Sequence, residues 1–195
     1  MPGKTTVPCT HEQYETLISV IFAGVDTYIM PNPRVATLLE VQANTGLRIG
    51  DILLLKMNSF IMDRDKYRFD MVEEKTGKKR NFTIPNAVYS FLREYADKCG
   101  LNDDDIIVPL SERAVQKHLK KVCDYLGPEY KNISTHSFRK YFGTEIYYAN
   151  GCDLELVRRL YQHSSAAVTA RYLGVTDKKI DEALQKHVRL VSVRK

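Results

Sequence analysis

The chain has 195 residues, 44% of them hydrophobic, enough for one sizeable core and marginal for two. A net charge of +5 leans only weakly toward an anionic partner. The polar start, the short apolar run at 52–55 and the absence of a CxxC pair among Cys9, Cys99, Cys123 and Cys152 argue against a secretion signal, a membrane span and a disulfide framework, so a cytoplasmic protein with free thiols is expected.

Residues 1–9 read as a flexible leader. Thr10 and Gln13 make a capping-box pattern that opens a helix through Phe22, with Tyr14, Leu17, Ile18 and Ile21 at helical spacing. After a connection holding two prolines, Pro33 fits the first turn of a helix to about Ala43, ended by Asn44-Thr45-Gly46. Residues 51–55 read as a short buried helix. The period then changes: 67–72 alternates like a strand, 77–79 is a turn signal, 80–85 continues as a second strand, and Phe60-Ile61 begins a third. Asn86 caps a helix over 87–98, and Ser111 caps one over 112–126. Ser134 or Thr135 caps one over 136–149, with Gly151 beyond its end. Asp153 opens LELVRRLY, Ser164 or Ser165 opens AAVTARYL, and Gly174 closes it. Residues 177–188 read as an amphipathic, lysine-rich helix. The fold class is therefore mainly α with a small antiparallel β-sheet, without repeats or a clear interdomain linker.

A few residues carry chemistry. Arg48 lies between Gly46 and Gly50; its guanidinium offers two parallel donors to phosphate oxygens, and the glycines let backbone approach closely. By itself it reads equally as a surface arginine after a helix cap. His136 and Arg139 stand about one turn apart on one helix face and can reach the same phosphate, or be a half-buried histidine and a solvated arginine. His163 precedes a helix cap and Tyr172 follows nine residues later, a spacing that puts them on different faces of one straight helix. They meet only if His163 lies before the helix and Tyr172 comes from its far end or from a bend. Lys75 opens a hairpin turn, either as a solvated charge or as a mobile acid reaching a DNA groove. Lys78, Lys79 and Arg80 beside it, and Arg113, Lys117, Lys120 and Lys121 on the 112–126 helix, are candidate DNA-backbone contacts or an ordinary charged face. His136-x-x-Arg139 lacks the further ligands of a metal motif, and the Asp run at 103–105 is consecutive and loop-like; no metal and no cofactor are expected.

In this order, NTGLRIGD, EKTGKKRNFTIP, STHSFRKYFGTE and HSSAAVTARYLG resemble the catalytic domain of the tyrosine recombinases, the phage-integrase family, over positions 10–185. Each motif alone is weak; the ordered set is specific. The resemblance implies a DNA breaking-rejoining fold in which Tyr172 is the nucleophile and Arg48 and Arg139 are the paired catalytic arginines. It further implies that Lys75 is the general acid, that His136 and His163 complete the set, and that Asp51 supports it from behind. Two supporting positions depart from the pattern. Lys140, a further candidate DNA contact, stands where a second histidine often follows; Tyr161-Gln162 stands where Leu-Gly is common before the histidine.

What the resemblance implies for activity is site-specific DNA recombination, integration or excision, through a 3′-phosphotyrosyl intermediate without metal or ATP. The implied partners are double-stranded recombination sites, three further copies in a homo-tetramer on paired sites, and accessory DNA-bending proteins; an isolated domain would be monomeric. Residues 10–176 would form the catalytic domain and 177–195 a tail exchanged between subunits, the whole being either a piece of a longer integrase, the favoured expectation, or a minimal recombinase of the invertase-like kind. Two other readings remain open from the residues: a type IB topoisomerase-like enzyme that relaxes supercoils, and a noncatalytic DNA-binding or assembly module on the same fold.

Overall fold

The computed structural model describes residues 6–80 and 82–174. The expected helix over 177–188 and the exchanged tail lie outside the described residues, as do positions 1–5. Eight α-helices and five short strands follow in chain order: α1 His11–Ala23, α2 Pro33–Thr45, α3 Ile49–Leu53, β1 Phe60–Asp63, β2 Lys66–Phe69, β3 Met71–Val72, β4 Lys79–Arg80, β5 Thr83–Ile84, α4 Asn86–Lys98, α5 Glu112–Leu126, α6 Thr135–Ala149, α7 Leu154–Tyr161 and α8 Ala166–Leu173. The mainly helical class with a small antiparallel sheet is what the chain adopts.

Local chemistry starts the helices. Thr10 and Gln13 close a reciprocal capping box on α1, and Ser111, Asp153 and Ser165 accept from backbone N–H groups in the first turns of α5, α7 and α8. Pro33 sits in the first turn of α2 behind the Asn32 cap. α2 is buried nearly all round, through Val35, Ala36, Leu38, Leu39, Val41 and Ala43, and packs between α1 and α6. It is the axis of the main core.

Three boundaries differ from the sequence reading. α2 runs to Thr45 rather than Ala43, because Gly46 supplies the left-handed residue (φ 63°) that stops it. α3 begins at Ile49 rather than Asp51, which makes Arg48 its N-cap. The strand over 67–72 is divided at Asp70, whose N–H reaches the Ser59 carbonyl (2.8 Å) and carries the β1–β2 register one step further. β2 pairs with β1 and β5, while β3 pairs with β4 in a separate two-stranded ladder. The pairings Tyr67↔Ile84, Arg68↔Thr83, Met71↔Arg80 and Val72↔Lys79 keep one register across the break, so the two ladders are one hairpin with an interrupted middle.

Thr6 to Cys9, which the sequence assigns to the leader, pack onto α6: Cys9 is buried, and Lys140 Nζ donates to the Thr6 carbonyl (2.7 Å). A second, smaller cluster of Val157, Tyr161 and Leu173 sits apart from the main core and holds α7 and α8 against α6.

Candidate active site

One cleft of about 400 Å³ is lined by Arg48, Lys75, His136, Arg139, His163 and Tyr172 together. The six candidate residues come from four separated segments, and the fold brings all six together. Four local devices place them.

Arg48, at the α3 N-cap, forms an ion pair with Glu73, which is fully buried at the end of β3. Thr76 Oγ1 donates to the same Glu73 oxygen (2.8 Å). Asp51, itself buried, accepts from the Glu74 N–H (3.0 Å). The base of the Lys75 turn is thus tied to α3 from two sides, and the turn closes through Glu73 N–H to Lys78 O (2.9 Å) and a left-handed Gly77. Burial pushes the Asp51 carboxyl above its ordinary range, against the Glu74 N–H that opposes it, and its second oxygen is unpartnered.

Arg139 is 4% exposed, an unusual burial for a permanently charged side chain. Three contacts hold it. Nη1 donates to the Gly46 carbonyl (2.5 Å), the guanidinium lies 4.5 Å above the Tyr161 ring, and the Tyr161 hydroxyl donates to the Arg139 carbonyl. Close approach at two glycines makes this possible. A Cβ on Gly46 would collide with the Phe142 ring, and one on Gly143 would collide with the Tyr161 hydroxyl.

His163 follows Gln162, the left-handed residue (φ 55°) that ends α7. Its N–H reaches Arg158 O (3.0 Å), Arg158 Nη1 returns to its carbonyl (3.0 Å), and its Nδ1 shares a hydrogen bond with the buried Thr169 hydroxyl (3.1 Å). Burial, then the positive charges of Arg139 and Arg48, bring its pKa down to about 4, so the imidazole is neutral near pH 7. His136, on the first turn of α6, keeps part of its ring open to the cleft. Its pKa is nevertheless lowered, first by desolvation, against the opposing pull of Glu112, with Arg139, Lys75 and Lys140 adding to the lowering.

Tyr172 stands in the last turn of α8, and His163 lies before that helix. Their rings meet at 5.4 Å between centroids, so the nine-residue spacing is bridged because α8 is only eight residues long. Tyr161 lies on another side at 5.3 Å, and Lys140 Nζ is 5.2 Å from the ring centroid. The phenolic oxygen is buried and falls outside hydrogen-bond geometry with any side chain. Burial raises its pKa above the ordinary tyrosine value, while the nearby Arg139 and Arg48 pull the other way.

The candidate DNA contacts fare unequally. Arg113 and Lys117 are exposed on α5; Lys120 is paired with Asp124 (2.5 Å), and Lys121 lies over the Tyr28 ring (4.9 Å). Lys79 pairs with Asp70 (2.8 Å), Lys78 Nζ donates to the Gln162 carbonyl (3.0 Å), and Arg80 contributes the backbone of β4. Lys140 points at Thr6 and Tyr172 rather than along an outer face. Among the described residues no group of three or more His, Cys, Asp and Glu side chains is gathered for a metal ion, and no helix is long and apolar enough to cross a membrane.

Sequence reasoning missed Glu73 and Thr169, and noted Tyr161-Gln162 only as a departure from the family pattern. Tyr161 carried a signal, since it ends the apolar spacing Val157, Leu160, Tyr161 on α7. Glu73 carried none, because a glutamate in EEKTGKK reads as a solvated turn charge.

Comparison with known proteins shows the family. Residues 9–179 match the model of the phage integrase family, and the chain belongs to that family as a tyrosine recombinase catalytic domain. It is 28% identical over 141 residues to the probable integrase/recombinase YoeC of Bacillus subtilis, covering 69% of this chain and 74% of that one. It is 24% identical over 170 residues to the tyrosine recombinase XerD of Rhizobium meliloti, covering 82% and 53%. Among solved structures, the XerH site-specific recombinase bound to palindromic difH substrate in a post-cleavage complex superposes with a TM-score of 0.64 at 22% identity, covering 91% of this chain and 52% of that one. The chain therefore spans about half the length of XerD and XerH.

Proposed function

We propose that this chain cuts and rejoins DNA as the catalytic domain of a site-specific recombinase. The observation that carries the reading is the one cleft that two arginines, two histidines and a lysine line together with Tyr172. Tyr172 Oη attacks the scissile phosphorus and the P–O5′ bond breaks, leaving a 3′-phosphotyrosyl link and a free 5′-hydroxyl. Neutral His136 takes the phenolic proton, and Lys75 gives one to the departing O5′. Arg48 and Arg139 face the non-bridging oxygens and offset the charge that grows on the five-coordinate phosphorus. His163 hydrogen-bonds one of those oxygens. In the rejoining direction the same protons return: Lys75 accepts from an incoming 5′-hydroxyl, and His136 hands its proton back to Tyr172. One phosphate ester is exchanged for another, so the bond energy is kept and ATP is not consumed.

The expected partners are two double-stranded recombination sites, a homo-tetramer assembled on them, and accessory DNA-bending proteins, with DNA running over the exposed Arg113–Lys117 edge of α5. The fold shared with XerH, whose structure is of a complex with difH substrate, supports DNA as the partner. The direct test is capture of a covalent complex. A randomised library of nicked duplexes, from which the cleaved end diffuses away, is incubated with the protein and recovered by attachment that survives detergent. Recovery of one sequence class, abolished by Tyr172→Phe, is the expected result. No covalent product from any duplex would overturn catalysis and leave a binding module.

A further inference from the structure

The corner that carries the nucleophile and the hairpin that carries Lys75 are far apart in sequence, yet two hydrogen bonds join them at one residue. Gln162 Nε2 donates to the Lys79 carbonyl on β4 (3.0 Å), and Lys78 Nζ donates to the Gln162 carbonyl (3.0 Å). Lys78 also closes the turn that displays Lys75, through its carbonyl and the Glu73 N–H (2.9 Å). On the other side, Gln162 is followed directly by His163, which is bonded to Thr169 one turn before Tyr172.

The backbone at Gln162 sharpens the point. Its φ of 55° and ψ of 33° are left-handed, a conformation glycine takes without strain and glutamine does not. Capping α7 alone would favour glycine. The side chain is kept at this strained position, and its Oε1 is buried without a partner. Its amide N–H group is what reaches the hairpin.

We propose that Gln162 is a positioning residue that clamps the Lys75 hairpin to the His163–Tyr172 corner, holding the leaving-group acid in register with the nucleophile. This rests on the recombinase reading above. Gln162 touches no reacting atom; it acts through the placement of the turn.

The test is Gln162→Gly, which relaxes the left-handed backbone and removes the side-chain bond to the Lys79 carbonyl, leaving only the backbone carbonyl that Lys78 reaches. Two readouts separate the possibilities. First, amide exchange across residues 74–78 is measured without DNA, and it should quicken in the variant. Second, covalent-adduct rates are measured on the duplex recovered by the capture experiment and on the same duplex with the leaving 5′-oxygen replaced by sulfur. A thiolate leaves without being protonated, so it bypasses Lys75. The variant should form adduct about tenfold more slowly on the oxygen substrate, at unchanged DNA affinity, and at the wild-type rate on the sulfur substrate. Equal rates on oxygen, an equal defect on both substrates, or unchanged exchange would overturn the clamp and leave recombination standing. If the wild-type protein forms no adduct on any duplex, the recombinase reading fails, and the exchange measurement alone decides whether the clamp exists.

Discussion

The two walls of the cleft are held in opposite ways. The arginine wall is pinned by contacts: Arg139 is buried under three of them, two from Tyr161 and one from Gly46, and Arg48 is locked to a fully buried glutamate. The tyrosine wall hangs from a cluster of three buried residues, and its phenolic oxygen has no hydrogen-bond partner. In the proposed reaction the two groups have different tasks. A charge receptor works best when its dipoles are fixed before charge develops, because reorganising them during the reaction would cost barrier height. A nucleophile must move onto phosphorus, and an unbonded hydroxyl in a small satellite cluster has little to break when it does so.

The sharpest test of this contrast is Tyr172→Phe. Covalent adduct should vanish altogether, while stability in urea stays level or rises by up to ~1 kcal/mol, because a buried hydroxyl without a partner is a cost to the fold. A clearly destabilised Phe variant would mean that the hydroxyl is bonded, and the two walls would then be alike.

Arg139→Lys attacks the other wall. Lysine keeps the charge but loses the planar stack on Tyr161 and the fixed donor to Gly46 O. Adduct formation should slow by ~10²- to 10³-fold and stability should drop by ~1–3 kcal/mol, rate and stability falling together where Tyr172→Phe separates them. A lysine variant that is slow but fully stable would show that the stack serves chemistry only.

Glu73→Gln is a milder probe. It keeps an oxygen for Arg48 and Thr76 and removes the charge that balances the guanidinium. Because Arg48 is about a quarter exposed, water takes up part of the loss, and ~1–2 kcal/mol of stability should disappear in urea unfolding. Adduct formation should change only a few-fold, since Arg48 stays at the α3 N-cap. Unaltered stability would show that the pair is not part of what fixes the arginine wall.

Both walls were visible in the sequence to different depths. Arg48, Lys75, His136, Arg139, His163 and Tyr172 were recognised because ordered motifs carry them, and helix starts at Thr10, Ser111 and Asp153 were readable because capping is local chemistry. What holds the arginine wall was not readable. Glu73 becomes a buried counter-ion only because a turn folds back onto an arginine from a different segment, and burial of this kind has no local pattern. The meeting of His163 with Tyr172 depended on α8 being short, which the Gly174 stop suggested without fixing where the helix began.

The smallest expected effect concerns pH and lies on the tyrosine wall. His163 titrates at about 4 in the folded chain, against ~6.5 for a free histidine in the unfolded one. Between these values the unfolded state binds the extra proton, so stability is full above pH ~6.5 and is lost as pH falls toward the folded value. His136 and His118, also shifted downward, add to the same slope. The ring of His163 is only partly buried, which discounts its share to a shift of a few degrees (~2–4 °C) in melting temperature. His163→Asn keeps an amide to meet Thr169 and removes the titration. The variant should be less stable than the wild type at pH 7, and the gap between their melting curves should narrow as pH falls from about 6.5 to about 4. Parallel curves across that window would mean that His163 meets water freely, and the tyrosine wall would then be open as well as loosely held.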